Sequence, residues 1–160
     1  MPTLRLLALT AILGLTALIT VMLIGPAGQA ADRIGHVTTI VPTALVGAVG
    51  VLMVAAATTP AAMTAALSVM AIGTSFAGPA IFALLGDLAT PAQRARAIGF
   101  YRSAGDLGFL AAPPAMGYIS DEVSSDAALV ANAVVLASAA ILLLVSAPAL
   151  GRRDRALVAS

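Results

Sequence analysis

The chain has 160 residues, 61% hydrophobic and 9% charged, with a formal net charge of +1 and a mean hydropathy of +1.06. A soluble domain carries about 25% charged residues, so this chain cannot cover a water-facing surface, and lipid must be its solvent. Cysteine is absent, His36 is the single histidine, and there is no basic patch, so disulfides, thiol catalysis, a histidine–cysteine metal site and nucleic-acid binding have no residues to carry them.

A membrane-spanning helix needs about 20 mostly apolar residues. Five segments reach that length, at about 4–24, 37–58, 61–85, 97–119 and 127–148. They predict an all-α fold: a polytopic helical bundle with five transmembrane helices. Gly25-Pro26 is expected to end the first. Residues 1–31 also read as a secretory signal, with Arg5, an apolar run and Gly28-Gln29-Ala30 as a cleavage site. The run from Leu6 to Ile24 exceeds the 7–15 residues of a signal core, and cleavage would leave the arginine-bearing loops outside.

Between the first two spans lies Gly28-Gln29-Ala30-Ala31-Asp32-Arg33-Ile34-Gly35-His36. The glycines allow a tight turn, and Asp32 and Arg33 place opposite charges at the water interface, where they can pair or cap helix ends. An ordinary charged turn is the simpler reading. Thr58-Thr59-Pro60 separates the second and third spans, with Pro60 placed where a helix tolerates proline. The third span carries Thr64, Ser68 and Ser75, with Phe82 beyond, at spacings that keep them near one helical face. They line a substrate cavity, or their hydroxyls bond to their own helix. Gly78-Pro79 is expected to kink or break this helix, and Gly86-Asp87 to close it.

Asp87, Pro91, Arg94 and Arg96 follow in a charged loop suited to an anionic lipid surface. In the fourth span, Gly99, Gly108 and Gly117 permit close helix approach, and Pro113-Pro114 removes two backbone donors and should bend the helix. Arg102 and Asp106 are four residues apart and can pair on one face. Ionisable groups inside a membrane cost several kcal/mol, so this is either a structural ion pair or a proton-coupling site. Residues 120–126 part the last two spans, and Pro148 and Gly151 are expected to end the fifth.

The arginines set an orientation. Arg33, Arg94, Arg96, Arg152, Arg153 and Arg155 fall on one side and Arg5 alone on the other. The positive-inside rule then predicts residues 25–36, 86–96 and 149–160 in the cytoplasm and the N-terminus outside. An odd number of spans starting outside suggests helices missing upstream.

Three of these segments share a resemblance. The Gly28, Asp32, Arg33, Gly35 frame resembles the loop joining the second and third helices of each half of a major facilitator superfamily transporter, with His36 where an arginine or lysine is usual. Asp87 to Arg96 resembles the loop before the fifth or eleventh helix. Gly99, Gly108, Pro113 and Gly117 look like a degenerate antiporter motif of the same superfamily, with Ala112 and Met116 in place of glycines. The resemblance covers essentially the whole chain and implies part of one six-helix half. Residues Tyr101 to Gly108 resemble an eleventh helix, which favours helices eight to twelve over helices two to six. It implies a multi-pass protein of the inner or plasma membrane, performing secondary transport of a small solute, such as proton-coupled efflux. Its partners would be the lipid bilayer, a small-molecule substrate and the missing N-terminal half. The third span would line the cavity, and the first and fourth would face the other half. No enzyme activity, cofactor or metal is implied. A truncated, non-transporting membrane fragment or packing subunit is the competing reading.

Overall fold

A computed structural model describes the backbone of residues 2–158 and the side chains of residues 10–29 and 31–148. It contains five helices in chain order: α1 (Pro2–Ile34), α2 (His36–Ala56), α3 (Pro60–Leu88), α4 (Arg94–Glu122) and α5 (Ser125–Val158). The all-α polytopic bundle expected from composition is therefore present. Arg5, Gly151, Arg152, Arg153 and Arg155 lie outside the described side chains.

Two helix starts follow from local chemistry. Thr59 caps α3, its Oγ1 accepting from the amide of Ala62 at 3.2 Å, with Pro60 as the first helical residue. Ser124 does the same for α5, its Oγ accepting from the amide of Ala127 at 3.1 Å. Both lie at expected breaks.

The first break lies elsewhere. α1 runs through Gly25 and Pro26 to Ile34, and α2 begins at His36. Proline removes one amide donor from a helix, and membrane helices tolerate that loss when neighbours re-satisfy the freed carbonyl. Gly35 makes the turn, with φ 95° and ψ 148°, close to a region almost reserved for glycine. Its amide donates to the carbonyl of Ala31 at 3.0 Å, and its own carbonyl accepts from the amide and the hydroxyl of Thr39. The expected loop thus contracts to one residue. In the same way α3 continues through Gly78-Pro79 as far as Leu88, and α5 continues through Pro148.

α2 is the centre of the bundle, with α3 and α5 packed against it and α1 against α3. The core is built of small residues. Gly47 and Gly50 of α2 press on Gly73 and Met70 of α3. A Cβ on Gly73 would lie 2.7 Å from the Thr43 carbonyl oxygen, and one on Gly50 would lie 2.5 Å from the Met70 amide nitrogen. No side chain fits there, so the two backbones touch, as small residues allow in lipid-embedded helix pairs. Larger residues flank the seam. Val41, Ala44 and Ala140 pack with Leu143, and Ala48, Val51 and Ala133 pack with Met70, Leu129 and Leu136. Ala31, Ile40 and Ala80 join α1 to this core.

Among the described residues, four helices contain stretches long and apolar enough to cross a membrane, and α4 does not. This departs from the expectation of five spans. α4 is 29 residues long, but Arg102, Asp106 and the Pro113-Pro114 pair dilute its apolar run. None of its residues is buried. It touches α5 and, more lightly, α3.

Candidate functional site

The segments 28–36 and 86–96 lie far apart in sequence and meet at one end of the bundle. α2 begins where α3 ends, because the two helices run antiparallel and in contact. His36, the first residue of α2, faces Asp87 in the last turn of α3, with its Nε2 2.7 Å from Asp87 Oδ2. The His36 side chain is 16% exposed and the Asp87 side chain 57%. The imidazole Nδ1 is buried and has no hydrogen-bond partner. The Nε2–H donates to the carboxylate, which fixes the ring but leaves its second nitrogen unused. Next to this contact, the Arg94 guanidinium reaches back across the turn and donates to the Gly86 carbonyl at 2.8 Å. That bond spends one of the carbonyls left open at the end of α3.

The expected site residues divide into those in this cluster and those outside it. Gly35, Asp87 and Arg94 belong to it. His36 completes it, although the sequence marked it only as a departure from a basic residue. Opposite charge types at the ends of neighbouring antiparallel helices were the available signal. Gly28, Asp32 and Arg33 ride on the last turns of α1. Asp32 and Arg33 are exposed and, among the described residues, neither side chain forms a hydrogen bond or ion pair. Their capping or pairing is therefore not seen. Arg96 is exposed and likewise unpaired.

The expected pair on α4 does not close. Arg102 and Asp106 are both exposed, and among the described residues the ion pair that forms is His36–Asp87. The i,i+4 spacing puts two side chains on one face without forcing contact, and nothing packs over these two to hold them together. Gly99, Gly108 and Gly117 also differ from expectation. A Cβ at any of them would meet nothing within 4 Å. The close approach that glycine permits occurs instead at Gly47, Gly50 and Gly73. Pro113 lies inside the continuous α4 helix.

On α3, the Ser68 hydroxyl donates to the Thr64 carbonyl at 2.8 Å, and the buried Ser75 hydroxyl donates to the Ala71 carbonyl. Both are turned to their own helix. Phe82 meets the ring of Tyr101 edge-on, with centroids 5.4 Å apart and planes at 82°. This contact ties the lightly held α4 to α3.

The model of the Major Facilitator Superfamily matches residues 4–158. The chain belongs to this superfamily. Its members are membrane transporters, so an MFS-type carrier function and a multi-pass membrane location follow from membership together with the apolar helices. Comparison with curated proteins and with solved structures gave no match. The match spans all five helices, including α4, whose composition alone would not assign it to a membrane.

Proposed function

We propose that this chain is helices eight to twelve of a secondary carrier that expels a small solute across the cell membrane in exchange for protons. The observation that carries the reading is the state of α4. It holds two ionisable groups, Arg102 and Asp106, and buries no residue against its own bundle. Charges at membrane depth are kept where they face protein or water. A second bundle, the N-terminal half, supplies that surroundings. Gly99, Pro113 and Gly117, which share the helical face of Arg102 and Asp106, leave the space for close approach along the seam.

In this carrier Asp106 takes up and releases the proton, and Arg102 answers its charge. The face of α3 bearing Ser68, Ser75 and Phe82 borders the solute path. Gly28, Asp32, Arg33 and Gly35 govern the change of state at the cytoplasmic end, where Asp87, Arg94 and Arg96 also lie. A helix-end contact such as His36–Asp87 can form in one state and open in the other. The N-terminus is outside and the C-terminus cytoplasmic.

The test is dye accumulation in everted vesicles under an imposed pH gradient, with the chain alone and with a co-expressed N-terminal half. The pair should accumulate dye and the chain alone should not. Asp106→Asn should abolish uphill movement while preserving downhill exchange. Wild-type uphill movement by Asp106→Asn would remove the proton role, and accumulation by the chain alone would remove the need for a second half.

A further inference from the structure

Where α4 begins, a groove of about 660 Å³ opens between Gln93, Arg96, Ala97, Gly99 and Phe100. Gln93, Arg96, Ala97 and Phe100 follow one helical face at spacings of three and four. We infer that this groove seats the headgroup and upper acyl chain of an anionic phospholipid.

Charge is the first argument. Arg94 is spent on the Gly86 carbonyl. The Arg96 side chain makes no hydrogen bond or ion pair among the described residues. None of the residues named as lining the groove is a carboxylate. The groove therefore presents an uncommitted guanidinium, which binds phosphate with two parallel hydrogen bonds. Gln93, one turn nearer the helix start, adds an amide donor.

Shape is the second. A Cβ on Gly99 would meet nothing within 4 Å, so the floor is open. Phe100 is 78% exposed, and the ring contact in this region joins Phe82 to Tyr101 and leaves it out. Arg96 and Phe100 are one turn apart, about 6 Å along the axis at 1.5 Å per residue. The polar layer on each side of a bilayer is about 5–7 Å deep. A guanidinium at the phosphate thus places the ring at the top of the hydrocarbon. A free anion would leave the ring and the apolar walls uncovered, whereas a lipid covers both.

The site meets the proposed second bundle only at Gly99, on the edge of the groove. Arg102 and Asp106 point roughly 130° round the helix from the Gln93–Arg96–Phe100 line. The inference rests on α4 crossing the bilayer with its Arg94 end at the interface, and is independent of transport.

The experiment is native mass spectrometry of the full chain in detergent, with phosphatidylglycerol or phosphatidylcholine of matched acyl chains. The expected result is preferential retention of one phosphatidylglycerol. Arg96→Gln should lower that retention by more than about five-fold, the change that one arginine near an anionic surface contributes without a built site. Gly99→Leu, which fills the floor, should also lower it. Arg33→Gln, an exposed arginine outside the groove, should leave it unchanged. Circular dichroism of each variant checks that the helices persist. Equal retention of the two lipids would overturn the inference. So would a loss in Arg33→Gln matching that in Arg96→Gln, which means diffuse attraction. Displacement by inorganic phosphate would mean a site for a free anion.

Discussion

The imidazole of His36 and the carboxylate of Asp87, 51 positions apart, stand 2.7 Å from each other and join the start of α2 to the end of α3. The contact is one of few polar links between helices in a bundle held mainly by small apolar residues. Asp87 is more than half exposed, so water and ions screen the interaction. Exposed pairs contribute about 0.2–1 kcal/mol. A double-mutant cycle with His36→Gln and Asp87→Asn, read by chemical unfolding in detergent, should return a coupling in that range. A coupling of zero would mean that the contact contributes nothing to stability.

Gly35 and Gly28 should respond to alanine with opposite signs. Gly35 has φ 95°, which an alanine adopts only at a cost of about 1–3 kcal/mol. Gly28 lies inside α1, where a Cβ meets nothing within 4 Å. Alanine is favoured over glycine in a helix by about 0.8–1 kcal/mol. Gly35→Ala should therefore lower the midpoint of thermal unfolding, and Gly28→Ala should leave it unchanged or raise it. Equal losses in both would indicate a flexible loop rather than a single-residue turn.

The glycines of the core make a similar contrast. Gly73→Ala must push α3 away from α2, because the new methyl group would overlap the Gly47 backbone and crowd the Thr43 carbonyl. Overpacking of this kind costs about 1–3 kcal/mol. Gly117→Ala on the open face of α4, where a Cβ meets nothing within 4 Å, should not destabilise the isolated chain. In a carrier assembled from two halves, the proposed seam would instead make Gly117→Ala disruptive. Unfolding of the isolated chain, followed by pull-down of the second half, separates the two effects.

Composition made the helical bundle and its lipid environment legible, because so few charges leave no alternative solvent. The breaks at Thr59-Pro60 and Ser124 were equally readable, since each carries its own capping side chain. The turn at Gly35 is masked in the sequence because Gly25-Pro26 looks like a stronger terminator, and the rule that proline ends helices loosens in membranes. Gly47 and Gly50 carry no comparable signal, although their spacing of three puts both near one face of α2. Nothing in their own segment names the partner, which is Gly73 on another helix. Arg102 and Asp106 show the converse. Their spacing puts them on one face of α4, but spacing cannot supply the neighbour needed to bring two exposed side chains together.

Sidedness is open to direct measurement. Single cysteines at Thr59, Ser124, Asp32 and Gln93, in a chain with no cysteine of its own, provide four probes. An impermeant maleimide added to intact cells should label Thr59→Cys and Ser124→Cys and leave Asp32→Cys and Gln93→Cys unmodified until the membrane is opened. Labelling of the latter two in intact cells would invert the orientation. Simultaneous labelling of Gln93→Cys and Ser124→Cys would place both ends of α4 on the same side and show that it does not cross.

Arg102 and Asp106 provide the last test, and it turns on the difference between the isolated chain and an assembled carrier. Both side chains are exposed, and among the described residues they form no ion pair. Charges that do not meet should lose their contributions independently. In the isolated chain, Arg102→Gln and Asp106→Asn should therefore be additive, with a coupling within about 0.5 kcal/mol. Covering α4 with a second bundle removes water from the same two groups. Removing one member of a buried pair strands the other, at about 3–5 kcal/mol. With both halves present, a structural pair would lower the yield of the complex in Asp106→Asn and restore part of it on adding Arg102→Gln, whereas the proposed coupling role keeps the yield and removes uphill movement alone. Strong coupling in the isolated chain would mean that the pair closes within α4 itself. Additivity in both settings, together with unchanged pH-driven transport, would leave these two charges with neither a structural nor a coupling role.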